Sequence, residues 1–254
     1  MTPSLETREL TIRFGGHVAV DHVTCAFRPG ELTAIVGPNG AGKTTYFNLM
    51  SGQLAASDGA VLIDGKDVTR LGAPQRARLG LGRAFQLTNL FPRLSVSENV
   101  RLAVQAHAGA HYEMRKPWRS DRHVIRHAEA VLDSVGLSSR RAAPASALSH
   151  GDQRKLEVAM MMALEPSIYM FDEPTAGMSV DEVPVVLDLI ARLKTDPTKT
   201  ILLVEHKMDV VRSLADRIIV LVNGALAADG DPATVIASPI VREAYLGLAP
   251  EQAA

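Results

Sequence analysis

Apolar and polar residues alternate over much of the first 30 positions, which is the pattern of half-buried β-strands. Leu10, Ile12 and Phe14 form one alternating set, and a second set runs from Val18 to Phe27. The short Gly-containing loop between the two sets predicts that the strands are antiparallel. Later in the chain, short continuous apolar runs predict strands that are buried on both faces. These runs lie at residues 32–36, 168–171, 201–204 and 218–222.

Helical periodicity dominates the middle of the chain, where apolar residues recur three or four positions apart. A further helix is predicted between two of the later strands. Strands that alternate with helices indicate an α/β fold with a mostly parallel sheet. We expect one domain over residues 1–254, with an α/β core at 1–93 and 164–254. A helical subdomain at about 94–163 is inserted into it, and the N-terminal strands form an antiparallel β subdomain.

Composition and charge narrow the classes of function. The 254 residues carry a formal net charge of −1, which gives no reason to expect nucleic acid as a partner. Cys25 is the single cysteine, so no internal disulfide can form, and its apolar surroundings favour a core residue. No apolar run reaches the roughly 18 residues of a membrane span, and residues 1–10 do not resemble a secretory signal. The basic stretch 107–127 indicates either a solvated helical insertion or a contact surface.

Residues 37–45 match the phosphate-binding pattern G-x-x-x-x-G-K-[ST] without a mismatch. A buried strand precedes them and a helix can begin after them, as the pattern requires. In such a loop, backbone N–H groups surround the phosphates, the lysine reaches the β- and γ-phosphates and the threonine hydroxyl binds Mg²⁺. We therefore expect a nucleoside triphosphate and Mg²⁺ as ligands. The predicted nucleotide-binding residues of the loop are Gly37, Pro38, Asn39, Gly40, Ala41, Gly42, Lys43, Thr44 and Thr45.

Two carboxylates, Asp172 and Glu173, follow the apolar run 168–171. An aspartate at a strand end near a phosphate loop is a typical Mg²⁺ ligand, bound directly or through water. Because side chains alternate along a strand, Glu173 is expected to point elsewhere and to serve as the general base for an attacking water. A solvated turn is the alternative interpretation of the pair.

Ser149 stands where a helix begins, in the run Leu148–Gln153. Serine is a favoured N-cap, and the free N–H groups of a helix start attract anions. Taken alone, the run is typical of an ordinary helix cap.

In this order along the chain, the motifs resemble those of the ATP-binding subunits of ABC transporters. Residues 37–45 resemble the Walker A motif of that family, 168–173 its Walker B motif and 148–152 its L-S-G-G-Q signature. Gln86 falls at the Q-loop glutamine and His206 at the switch histidine. Phe14 falls where an aromatic ring stacks on adenine. The resemblance spans nearly the whole chain.

The resemblance implies a role for each matching residue. Glu173, His206, Lys43 and Gln86 would take part in hydrolysis, and Thr44, Gln86 and Asp172 would bind the metal. ATP would lie between the Walker A loop of one subunit and Ser149 and Gly151 of another. The functional unit would therefore be a dimer, with a second related ATPase or with a second copy of this chain.

The sequence departs from the family pattern at two motifs. His150 replaces the first glycine of the signature and Asp152 replaces its glutamine, whereas Ser149 and Gly151 are kept. In the D-loop that follows Walker B, Ser179 stands in the place of the usual aspartate. These changes bear on the contact of the signature with the γ-phosphate and on communication between paired subunits.

Within the family, several segments resemble the branched-chain amino acid importers of the Liv type. They are 14–20, 83–86, the basic insertion 107–127 and 243–247. That group implies two membrane permeases, an external solute-binding protein that acts indirectly, and a peripheral position at the cytoplasmic face of the cell membrane. The ATPase does not touch the solute, so the solute stays open: a branched-chain amino acid or a related small polar molecule.

Three alternatives remain open from the sequence. An ABC exporter subunit, for example one for lipopolysaccharide export, has a similar core. A soluble ABC protein acting on DNA or ribosomes usually has coiled-coil insertions or a tandem ATPase domain, and this chain has neither. A P-loop kinase would need neither the signature nor His206.

Overall fold

The computed structural model describes residues 2–84, 90–108, 122–239 and 241. Its strands are β1 Leu5–Phe14, β2 His17–Phe27, β3 Leu32–Val36, β4 Asp58–Ile63, β5 Lys66–Asp67, β6 Leu81–Ala84, β7 Ile168–Asp172, β8 Thr200–Val204, β9 Arg217–Val222 and β10 Ala225–Gly230. Its helices are α1 Lys43–Ser51, α2 Ala73–Arg78, α3 Val96–His107, α4 Arg122–Ser134, α5 His150–Leu164, α6 Val183–Lys194, α7 Met208–Leu214 and α8 Pro232–Ala237.

The N-terminal strands form the expected antiparallel sheet. Its order is β2-β1-β4-β5, and β1 pairs in antiparallel fashion with both β2 and β4. Leu10 and Ile12 of β1 are buried, as their alternation predicts. Phe14, at the end of the strand, is instead 51% exposed. The antiparallel part of the predicted fold is confirmed.

The second sheet has the order β10-β9-β3-β8-β7-β6 and is mostly parallel. Strand β3 pairs in parallel with β8 and β9, and β7 pairs in parallel with β8, whereas β10 is antiparallel to β9. Ile35 of β3 packs in one apolar cluster with Tyr46, and its neighbours Ala34 and Val36 pack in another with Val211. Burial on both faces explains why β3 is a continuous apolar run, and the predicted α/β class is confirmed.

The chain forms two compact units. One comprises Met1–Arg83, Ser167–Glu173 and Leu193–Ala254, and the other Ala84–Pro166 and Pro174–Arg192. In the second unit, helices α3, α4 and α5 pack against one another. The division of the sequence at residues 94 and 163 stays a prediction. Within the described ranges, no helix combines the length and the apolar character that crossing a membrane requires.

Candidate functional site

The loop between β3 and α1 depends on glycines at both ends. Gly37 has a φ of 154° and Gly42 a φ of 92°, which are conformations that side chains with a Cβ rarely adopt. A Cβ on Gly37 would collide with the carbonyl oxygen of Leu221, and a Cβ on Gly42 with that of Ala19. The loop can therefore lie this close to neighbouring backbone only with glycine at these two positions.

Lys43 is buried inside the curve of this loop. Its Nζ donates hydrogen bonds to the carbonyl oxygens of Gly37 at 2.7 Å and Pro38 at 2.9 Å. Burial lowers the pKa of the Lys43 ammonium, and the charges of Glu173 and Asp172 act in the opposite direction. The loop thus holds a cation against its own backbone.

The first turn of α1 has no side-chain cap. Its N-cap is Gly42, which has no side chain to accept hydrogen bonds from the first N–H groups of the helix. Asn39, Gly40 and Thr44 are exposed around it, whereas Thr45 is half-buried. N–H groups, a helix N-terminus and a hydroxyl are the donors that phosphate groups bind.

Asp172 ends strand β7 and is buried. Its Oδ2 accepts a hydrogen bond of 2.8 Å from Arg83 Nη2, so the carboxylate is paired with a cation from the neighbouring strand β6. The sequence predicts Asp172 at this strand end but gives no sign of the arginine beside it.

Glu173 has left the strand, with a φ of 50° and its N–H donating to the carbonyl oxygen of Val204 at 2.9 Å. Its Oε1 lies 2.7 Å from Nε2 of His206, which follows strand β8. Because a carboxylate only accepts hydrogen bonds, this contact favours the His206 tautomer with hydrogen on Nε2. The structure thus brings together two predicted catalytic residues from separate strand ends.

Phe14 and Gln86 are two further predicted site residues. Phe14 stands at the end of β1 with half of its surface exposed, so its ring face is accessible to a planar ligand. Gln86, predicted as a catalytic and metal-binding residue, lies outside the described residues.

The signature run begins α5, as expected. The Ser149 hydroxyl accepts a hydrogen bond from the Asp152 N–H at 3.1 Å, which makes Ser149 the N-cap. Asp152 lies in the first turn, where a negative charge is favourable, and its Oδ1 pairs with Lys155 Nζ at 2.8 Å. The residue that replaces the usual glutamine therefore serves the helix itself.

Gly151, in the same turn, lies against the Glu182 carboxylate, and a Cβ on Gly151 would overlap it. Oε2 of Glu182 also accepts hydrogen bonds from the Ser179 N–H at 3.2 Å and the Ser179 hydroxyl at 3.1 Å. Ser179, the D-loop residue in the place of an aspartate, is thus joined to Glu182 in the turn that precedes α6. Glu182 is not among the residues predicted from the sequence, although the pattern S-x-x-E at 179–182 is that of a capping box.

Among the described residues, neither a reactive cysteine nor a cluster of metal-binding side chains is present. Cys25 is buried, and burial raises the pKa of its thiol to about 11, so it is a poor nucleophile. Across the described ranges, no group of three or more His, Cys, Asp or Glu side chains is arranged to hold a metal ion. A metal such as Mg²⁺, which needs few protein ligands beside water and phosphate oxygens, remains compatible with the hydroxyl and single carboxylate present here.

Comparison with known proteins decides the family. Residues 20–176 match the family model described as "ABC transporter". The chain belongs to the ABC transporter family. It is 37% identical over 250 residues to BraF of Pseudomonas aeruginosa and 38% identical over 250 residues to LivG of Escherichia coli K12. Both are high-affinity branched-chain amino acid transport ATP-binding proteins, and each match covers 96% of this chain and 98% of the relative.

The fold agrees with this assignment. The crystal structure of the ADP conformation of MJ1267, an ATP-binding cassette of an ABC transporter, matches with a TM-score of 0.83 and 26% identity. That match covers 98% of this chain and all of the other. The chain is therefore an ATP-binding cassette ATPase, as the motifs predicted.

Proposed function

We propose that residues 37–45 bind the phosphates of ATP and that Lys43 contacts the β- and γ-phosphates. The proposal is supported by the start of α1, which has no side-chain cap, and by the cation held in the loop. Phe14, exposed at the end of β1, would stack on the adenine. These residues provide a charged end and an aromatic end for one nucleotide.

Mg²⁺ is the cofactor that fits the donor set, which consists of oxygens. Thr44 and Asp172 would hold it, together with Gln86 from outside the described residues. When bound, the ion neutralises charge on the phosphate oxygens. The preference of Mg²⁺ for hydroxyl, carboxylate and water oxygens supports this choice.

The contact between Glu173 and His206 is the observation that carries the proposed hydrolysis. Glu173 would accept the proton of the attacking water, and His206 would hold the Glu173 side chain in place and contact the γ-phosphate. Lys43 would stabilise the negative charge on the transferring phosphoryl group. Release of free phosphate with no acceptor other than water would separate this ATPase from a kinase.

For the assembly, we propose a dimer in which Ser149 and Gly151 of each subunit contact the ATP held by the other. The partner would be a second related ATPase or another copy of this chain. The dimer would sit against two membrane permeases at the cytoplasmic face of the cell membrane, with an external solute-binding protein as an indirect partner. Two relatives named for branched-chain amino acid transport, each matched over 96% of this chain, support import of such an amino acid or a related small polar solute.

Replacing Glu173 by glutamine tests the hydrolysis. The variant should release phosphate about 100- to 10,000-fold more slowly, because the amide cannot accept the proton, and should bind ATP with unchanged affinity. Glu165→Gln is the matched control, since Glu165 also has a left-handed backbone, with a φ of 45°, and lies beside His127. Near-normal hydrolysis by Glu173→Gln would remove Glu173 from the base role.

Transport is tested in the native host, with the chromosomal gene replaced by the wild type or by Glu173→Gln. Uptake of labelled leucine, isoleucine and valine should fall in the variant alone. A pull-down of the tagged wild type from membranes should recover two permeases and a second ATPase. Unchanged uptake together with recovery of an exporter permease would refute import and keep the ATPase.

A further inference from the structure

Arg83 is a buried arginine whose guanidinium joins two parts of the nucleotide-binding unit. Its side chain is 7% exposed, and that of Asp172, its ionic partner, is fully buried. Nη2 donates to Asp172 Oδ2 at 2.8 Å, while Nη1 donates to Asn48 Oδ1 and to Ser51 Oγ, each at 2.7 Å. Asn48 and Ser51 belong to the last turns of α1, the helix that follows the phosphate loop.

The packing around the guanidinium restricts its movement. Its Cζ lies 5.5 Å from the centroid of the Phe47 ring, in the range of a cation–π contact. Burial lowers the pKa of Arg83, but arginine stays charged in proteins, so Asp172 always has a cation beside it. The planar guanidinium fixes the directions of its donors relative to one another. The carboxylate of Asp172 is therefore held in a fixed relation to α1.

We propose that Arg83 is a positioning residue of the ATPase site. Through its contacts with α1, it holds the Asp172 carboxylate in a fixed orientation. This rests on the proposed function, because it takes Asp172 as a ligand of Mg²⁺. Thr44, the other ligand among the described residues, lies in the first turn of that same helix. Arg83 thus sets the spacing between two metal-binding oxygens that come from different elements.

Arg76 provides a matched control. It is also a buried arginine of this unit, and its Nη1 donates to the carbonyl oxygens of Leu49 at 2.6 Å and Met50 at 2.7 Å, again at the end of α1. Its described hydrogen bonds go to backbone carbonyls and none to Asp172. The loss of a buried contact to α1 should therefore affect substitutions of both Arg76 and Arg83. Only a substitution of Arg83 should change the orientation of the Asp172 carboxylate.

The experiment compares Arg83→Lys with Arg76→Lys and the wild type. The dissociation constant of a fluorescent ATP analogue is measured in Mg²⁺ and in EDTA, and thermal unfolding is followed without nucleotide. Lysine keeps the charge at position 83 but cannot contact Asp172 and α1 through one rigid plane. We expect Arg83→Lys to bind the analogue in EDTA with the affinity of the wild type. The increase in affinity on adding Mg²⁺ should be at least tenfold smaller than in the wild type. Arg76→Lys should lower only the melting temperature.

Ser51→Ala serves if Arg83→Lys does not fold. It removes one acceptor of Nη1, leaves the ion pair and should reduce the Mg²⁺-dependent gain by a smaller factor in the same direction. If Arg83→Lys, or Ser51→Ala where Arg83→Lys does not fold, gains as much affinity from Mg²⁺ as the wild type does, the positioning role is overturned. The proposed Mg²⁺ site would not be affected by that result. A wild type without any gain from Mg²⁺ would overturn the proposed metal site, and the inference with it.

Discussion

The phosphate loop and the signature turn both place glycines at the start of a helix, but against different neighbours. Gly42 lies against the backbone carbonyl of Ala19, whereas Gly151 lies against the side-chain carboxylate of Glu182. The helix after the loop has no side chain as its cap, while α5 is capped by Ser149. A backbone carbonyl within a sheet has little room to retreat, but a side chain can rotate away. Of these two segments, the loop keeps the family pattern throughout, whereas the signature turn departs from it at His150 and Asp152 and keeps Gly151.

The largest effect is expected for Gly42→Ala. The new Cβ meets the Ala19 carbonyl, and alanine must adopt the φ of 92° that is unfavourable for a residue with a Cβ. The free energy of unfolding should therefore fall by more than about 2 kcal/mol. ATP affinity should fall at least tenfold. Gly40→Ala is the control, because its φ of 80° is equally unfavourable but nothing lies within 4 Å of its Cβ. Equal losses in urea unfolding of the two variants would show that the close approach of backbone does not matter.

An intermediate effect is expected for Ser149→Ala. The variant loses the hydrogen bond from the Asp152 N–H, which should lower the free energy of unfolding by about 1 kcal/mol. Ser149→Asn, which keeps a capping oxygen, should restore most of it. Chemical denaturation measures both. If Ser149→Ala is as stable as the wild type, the Ser149 side chain does not stabilise this turn, and the contrast with the uncapped α1 disappears.

The smallest effect is expected for Gly151→Ala. Glu182 must rotate away and lose its contacts with Ser179, but alanine is the better helix residue by about 0.5–1 kcal/mol. The net change in the free energy of unfolding should stay within about 1 kcal/mol. In a background of Glu182→Ala, the same substitution should stabilise. A loss as large as that of Gly42→Ala would mean that Glu182 is as fixed as backbone, and the comparison would fail.

What the sequence predicts well is what backbone geometry and periodicity determine. The run 32–36 predicts β3 because a strand buried on both faces has only apolar positions. The loop after it is predictable because each of its glycines is required by a local conformation. Ser149 is predictable as a cap because its hydroxyl needs only a backbone N–H three residues along the chain.

Contacts between side chains from distant positions are not predictable in this way. Arg83 is charged, and charged residues are usually exposed, so nothing local indicates that it is buried beside Asp172. The contact between Glu173 and His206 depends on the order of β7 and β8 in the sheet, which periodicity does not determine. The family resemblance named these two residues, but only the fold places their atoms 2.7 Å apart.

That contact also limits how mutational energies at this site can be interpreted. Two groups joined by one hydrogen bond do not contribute separately, because removing either one changes the surroundings of the other. The rate lost in a His206 variant would include whatever freedom Glu173 then gains, and the reverse holds for a Glu173 variant. The two residues thus form a single energetic unit, and the sum of two single-variant losses overstates what the pair contributes.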